Sequence, residues 1–202
     1  MNAPFLPGRG FRDPVLGSQA MFRVVLNALS RPGVIQAIPE VGVEGPSIVS
    51  PEVLAILLTL CDQDTPVWLD DELRVNAVGR WLSFHANCLL TSDPSRASFG
   101  ILRDRPGNPA LCDFALGDPR YPDRSTTLLV CVESLSGGSP LILDGPGIES
   151  SIRIAPLGLP DGFVAAAQAN HALYPLGLDF LLVAGHAVSG LPRTTRIVPE
   201  AR

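Results

Sequence analysis

The chain contains no lysine, and all fifteen of its basic residues are arginine. That absence excludes Schiff-base chemistry at a side chain and a phosphate loop built on its lysine. Charge is sparse, at 17% of 202 residues with a net charge of −5 and no basic stripe, which argues against a nucleic-acid partner held through its phosphates. Long apolar runs are missing too. A stretch such as Val53–Leu58 is far too short to span a bilayer, so no membrane partner is expected. The opening residues MNAPFLPGRG carry Pro4, Pro7 and Gly8 without an apolar core, so they read as a tail over residues 1–12 and not as a signal peptide. No two of the four cysteines form a CxxC pair. Cys61, Cys88 and Cys131 lie in apolar runs, and all four are expected to be reduced thiols of a cytoplasmic protein. The three histidines (His85, His171, His186) show neither HxH nor HxxxH spacing, so neither a metal nor a metal-based cofactor is expected.

Apolar material is plentiful, at 46%, and sufficient for a full core. One domain over residues 13–202 is expected. Asp13 and Pro14 open a helix over Pro14–Leu29 with Met21, Phe22, Val25, Leu26 and Leu29 on one stripe. Ser50 and Pro51 open a second over Pro51–Cys61. Asp70 or Asp71 caps a third, about Glu72–His85. A short helix over Pro109–Ala115 and another over Gly162–His171 complete the set. Thr126–Val132 and Leu178–Ala184 read as strands buried on both faces. Further strands are predicted at Val34–Ile38, Val67–Leu69, Leu89–Thr91, Ser98–Leu102, Leu141–Leu143, Ile152–Ile154, Ala187–Ser189 and Thr195–Val198. The Ser136-Gly137-Gly138 turn predicts a hairpin between Thr126–Val132 and Leu141–Leu143. The sum is a three-layer α/β/α fold with a mixed sheet and helices on both faces.

Five features invite a chemical reading, each with a plainer one beside it. His85 and His171 lie near helix C-termini, where the dipole alone favours them. Asp62 and Asp64 make either an acid/base pair or an ordinary turn. Ser136, Gly137 and Gly138 can offer amides and hydroxyls to an anion, or simply turn the chain. Gly145-Pro146-Gly147 is a turn or a ligand loop, and it does not meet the GxGxxG dinucleotide fingerprint. Arg193, Thr194, Thr195 and Arg196 form the best anion-binding candidate, because two guanidinium groups and two hydroxyls suit phosphate; the alternative is an edge strand carrying a salt bridge.

Seven segments in order complete the reading: FRVVLNALSRPG (Phe22–Gly33), LLTLCDQDTPVWL (Leu57–Leu69), FHAN (Phe84–Asn87), SLSGG (Ser134–Gly138), GPGI (Gly145–Ile148), PLGLDFLL (Pro175–Leu182) and LPRTT (Leu191–Thr195). Together they resemble the H subunit of the bacterial carbon–phosphorus lyase system, the PhnH family. No motif covers Arg103–Arg124. The resemblance implies a fold similar to the large domain of pyridoxal-phosphate-dependent transferases, without the cofactor. It implies a homodimer that joins the G, I and J subunits in organophosphonate catabolism. The assembly makes ribose 1-methylphosphonate 5-triphosphate by displacing adenine from ATP with methylphosphonate, with the chemistry placed on the I subunit. The chain is then an accessory subunit, inactive alone, and no catalytic residue is transferred to it. The alternative from the residues is a stand-alone small-molecule or nucleotide-binding domain or enzyme using the Gly137/Gly138 turn and Arg193.

One outcome follows from the missing lysine alone. Borohydride reduction in the presence of pyridoxal phosphate is expected to leave every side chain unmodified, as peptide mass mapping would read; an adduct on a folded residue would overturn this.

Overall fold

Leu128, Leu129 and Val130 are fully buried, and Phe180, Leu181, Leu182 and Val183 nearly so. Because successive strand side chains point to opposite faces, each run must feed two cores. Leu129, Leu181 and Val183 enter one, while Leu128, Val130, Phe180 and Leu182 enter the other. The computed structural model describes residues 7–75 and 77–200. Part of the expected tail, residues 1–6, lies outside the described residues.

The main sheet has seven strands. In chain order these are β1 (Gln36–Ala37), β2 (Val67–Trp68), β3 (Leu90–Thr91), β4 (Phe99–Arg103), β5 (Thr127–Cys131), β8 (Asp179–Ala184) and β9 (Ala187–Leu191). Their spatial order is β1-β9-β8-β5-β4-β2-β3. The strands from β8 to β3 run parallel, while β9 returns antiparallel to β8 and β1 lies antiparallel at the edge. The sheet is therefore mixed, as the sequence predicts. A second sheet of three antiparallel strands, in the order β10-β6-β7, comprises β6 (Leu141–Asp144), β7 (Ile152–Ile154) and β10 (Arg196–Pro199).

One face of the main sheet is covered by α1 (Pro14–Ser30), α2 (Pro51–Leu60) and the helical pieces α3 (Asp71–Val75) and α4 (Ala77–His85). The other is covered by α5 (Phe163–His171), the small sheet and a 3₁₀ turn at Leu111–Asp113, so its outer layer is part helix and part strand. The helix starts obey the capping logic read from the sequence. The Asp13 carboxylate accepts from the amides of Val15 and Leu16, each at 3.0 Å, and Ser50 Oγ accepts from the Val53 amide.

The hairpin between the fifth and sixth strands does not form. β5 lies in the main sheet and β6 in the small one, paired with β7 and β10. The glycine turn instead runs beside the segment before α5: Ser134 bridges Leu157, and the Gly138 amide donates to the Ala155 carbonyl at 2.8 Å. Two glycines specify a change of direction, not a pairing partner. The first predicted strand is likewise reduced to Gln36–Ala37, the pair that meets Val188 and Ala187.

α1 packs against β9 so closely that a Cβ on Gly190 would sit 2.4 Å from the Ala28 carbonyl oxygen. Gly190→Ala is expected to push helix and strand apart and lower stability by about 2 kcal/mol. Urea denaturation checks it, and an unchanged midpoint would refute the close approach.

Candidate functional site

In an open α/β sheet a crevice forms outside the carboxyl ends of two neighbouring parallel strands whose following connections leave in opposite directions. β2 and β4 are such a pair. From β2 the chain passes through α3 and α4, whose Leu73, Val78, Trp81 and Leu82 join the core under α1 and α2, and returns as β3 on the outer side. From β4 it passes through residues 104–126, whose Phe114 packs in the opposite core, and returns as β5 on the inner side. The connections diverge to opposite faces, so the switch point lies between β2 and β4.

Four charged side chains stand there. Asp70 follows β2, Glu72 opens α3, Arg103 closes β4 and Arg105 follows it. Arg103 donates to Asp70 Oδ2 through Nη2 at 2.6 Å and through Nε at 3.2 Å, and from Nη2 to Glu72 Oε2 at 2.8 Å. Arg105 donates from Nη1 to the same Asp70 oxygen at 3.4 Å and to the same Glu72 oxygen in a short contact. Asp70 Oδ1 accepts from the Leu73 amide at 2.9 Å, so this one carboxylate both caps α3 and binds the arginines. Asn108 fastens the loop by donating to the Arg103 carbonyl at 2.6 Å.

The environment holds these groups charged. Burial alone would raise the Asp70 carboxyl, but hydrogen bonds from Arg103 and the Leu73 amide, with both guanidinium charges, leave it below the ordinary carboxylate value. Hydrogen bonds from Arg103 and Arg105 lower Glu72. Burial acts to lower Arg103, and its two acidic partners outweigh that and raise it. On the next strand Cys131, in register with Arg103, is pushed up to about 11 by burial despite the nearby guanidinium, which makes it a poor nucleophile.

A cavity of about 660 Å³ opens beside the quartet, between the loop after β4 and the start of α5. Its walls include Leu102, Leu111 and Phe163 as apolar surface and Asp104, Arg105 and Asp161 as charged groups. That volume falls in the range of small-molecule sites. A second cavity, of about 590 Å³, lies near α2, where His186 Nδ1 meets the buried Glu52 carboxylate at 2.6 Å.

The residues singled out from the sequence do not gather in one place. Arg193 sits at the amino ends of β5 and β8. It binds Asp179 through Nη2 at 2.5 Å and Nε at 3.2 Å, the Pro122 carbonyl at 2.6 Å and, in a short contact, Ser125. An anion there would have to displace Asp179. Arg196 makes a fork-like pair with Asp144 at 2.6–3.0 Å on the small sheet. Thr194 lies half-buried between them, and the Thr195 hydroxyl is buried with no hydrogen-bond partner among the described residues. Ser136, Gly137 and Gly138 follow the opposite, carboxyl end of β5, roughly 13 Å from the Arg193 end at 3.3 Å per residue. The Ser136 amide bonds the Ser134 hydroxyl at 3.1 Å, and Gly137 is open to solvent.

His85 and His171 each meet a backbone carbonyl: His85 Nε2 that of Pro7 at 3.1 Å, and His171 Nδ1 that of Arg193 at 3.0 Å. Asp62 serves its turn by accepting from the Asp64 amide and the Thr65 hydroxyl. No group of three or more metal-ligating side chains occurs among the described residues.

The switch-point quartet was missed because Asp70 reads as a helix cap and both arginines fall in the segment that no motif covers. The one local signal was the Arg103-Asp104-Arg105 triplet directly after an apolar strand.

Comparison with known proteins adds a family. The model of the family described as bacterial phosphonate metabolism protein (PhnH) matches residues 9–198. A Rhizobium meliloti (strain 1021) protein, alpha-D-ribose 1-methylphosphonate 5-triphosphate synthase subunit PhnH, is 43% identical over 190 residues, which is 94% of each chain. A Stutzerimonas stutzeri protein, putative C-P lyase subunit protein HtxG, is 30% identical over 185 residues, covering 89% of this chain and 85% of its own.

The quartet sets an acid limit. Asp70 and Glu72 have folded-state values below their unfolded ones, so they stabilise the fold above about pH 4 and cease to as pH falls through the folded values. Asp70→Asn keeps a capping side chain but loses the ion pair. It should cost about 2 kcal/mol at neutral pH, less than a fully buried pair because Glu72 remains. It should also flatten the acid loss of stability in urea titrations run at several pH values. An unchanged acid slope would refute the assignment.

Proposed function

The chain belongs to the bacterial phosphonate metabolism protein (PhnH) family, and from that premise we propose that it is the accessory, non-catalytic subunit of a carbon–phosphorus lyase core complex. In this reading it is required for synthesis of alpha-D-ribose 1-methylphosphonate 5-triphosphate, with the chemistry carried by a partner. The observation that carries the reading is the 43% identity across 94% of a synthase subunit. The site geometry supports it: the charged groups at the switch point are engaged with one another.

A subunit of this kind needs surface for its partners. α1 leaves Val15, Leu16, Phe22 and Leu26 exposed, and Ile35 beside the edge strand β1 is 53% exposed. Val15, Phe22 and Leu26 recur at helical spacing on one outward stripe, the kind of surface that a partner covers. We assign to the chain a homodimeric state in the cytoplasm, assembly with G, I and J subunits, and a kinship of its sheet with the large domain of pyridoxal-phosphate transferases without use of that cofactor. No helix among the described residues is long and apolar enough to cross a membrane.

The cavity at the switch point favours a second reading, a ligand-binding domain in its own right. Reconstitution separates the two. The G, I and J partners with ATP and methylphosphonate are expected to lose assembly and most adenine release when this chain is omitted, and Leu26→Asp is expected to leave the fold intact by circular dichroism while weakening association in light scattering. Full adenine release without the chain, or turnover of ATP by the chain alone, would overturn the accessory role.

A further inference from the structure

The quartet is balanced in charge but not in hydrogen bonds. Two oxygens, Asp70 Oδ2 and Glu72 Oε2, take all five bonds that Arg103 and Arg105 give to the acids. Arg105 Nε and Nη2 bond no acceptor among the described residues. The two arginines also differ in how they are held. Arg103 ends a strand, is 19% exposed and grips Asp70 through two nitrogens. Arg105 is 36% exposed, lines the cavity, and holds only oxygens that Arg103 already occupies. Its partner Glu72 is the most exposed of the four, at 43%.

We propose that this cavity binds a phosphorylated sugar, with Arg105 as the group that takes its phosphate and Glu72 as the carboxylate that Arg105 gives up on binding. A phosphate offers several strong acceptors in the fork geometry that a guanidinium matches, and Arg105, with its idle donors, already lines the cavity. A bare polyanion would meet Asp104 and Asp161 on the same lining. A sugar meets them well, because its hydroxyls donate to carboxylates. Leu111 and Phe163 supply apolar surface for the ring's carbon face. Asp70 and Arg103 do not move; they fix the end of β4 from which Arg105 projects.

The proposal rests on the accessory-subunit reading only for its probe, a pentose phosphate. Isothermal titration of the full chain with ribose 5-phosphate, ribose and inorganic phosphate tests it. Ribose 5-phosphate is expected to bind more tightly than either fragment. Arg105→Gln should weaken it about tenfold or more, the loss of one or two charge-assisted bonds. Glu72→Gln should strengthen it, because the competing carboxylate is gone, and Asp161→Asn should weaken it. No heat at millimolar ribose 5-phosphate, equal binding of inorganic phosphate, or a loss with Glu72→Gln equal to that with Arg105→Gln would each overturn the proposal. Should a variant not fold, amide shifts of the wild type decide: changes at Arg105, Leu111 and Phe163 support the site, and changes elsewhere refute it. Assembly of Arg105→Gln with the partner subunits should be normal, so failure here leaves the accessory role standing.

Discussion

Everything in this molecule depends on the two-sided burial of β5 and β8. A strand apolar on both faces must be covered twice, and this pair draws helices to one side and a helix with a small sheet to the other. Only the ends of such strands can carry polar chemistry, because their middles hold no residue free to face water. The charged groups follow that rule. Asp179 and Arg193 close the amino ends of this pair, and Asp70, Glu72, Arg103 and Arg105 gather at the carboxyl ends of the neighbouring strands β2 and β4.

The two ends do different work. At the amino ends Arg193 joins segments distant in sequence: the loop around Pro122, the start of β8 and its own turn after β9. Its acceptors are the Asp179 carboxylate, the Pro122 and Pro175 carbonyls and the Ser125 hydroxyl, so the guanidinium is saturated. At the carboxyl ends the donors outnumber the acceptors. A saturated arginine acts as a brace, whereas an arginine with idle donors beside a cavity is poised for exchange. Two arginine clusters of similar composition therefore support opposite roles, and only their acceptor inventories tell them apart.

That distinction marks what was legible in the sequence. Caps at Asp13 and Ser50 and the doubly buried strands each follow from a few adjacent residues, and all are found in the structure. Partner choice is not local. The Gly137-Gly138 turn announced a hairpin, but β6 found β7 and β10, whose side chains complete the second core. The run Arg193–Arg196 offered either an anion site or an edge strand with a salt bridge; Arg193 pairs with Asp179, fourteen residues upstream, and Arg196 pairs with Asp144 on the edge strand β10. The quartet itself joins residues that are separated by over thirty positions, so each half reads as something ordinary: a cap before α3 and a charged end to β4.

The arrangement also bears on how a subunit can assemble and still hold a ligand. α1 packs against β9 and β1, at one edge of the sheet, and turns its exposed stripe outward there, while the cavity beside the switch point opens beyond β4 toward α5. No residue of the stripe lines the cavity. A partner covering the stripe through apolar contact would leave the cavity mouth open, and a ligand at Arg105 would not need to cross that interface. The quartet also touches the core beneath α1: Glu72 stands in the first turn of α3, and the next residue, Leu73, is fully buried in that core. If Arg105 released Glu72, the 2.8 Å bond from Arg103 would still tether that carboxylate, so little motion would enter α3. The Asp70 cap on the Leu73 amide would remain to limit how far that motion spreads.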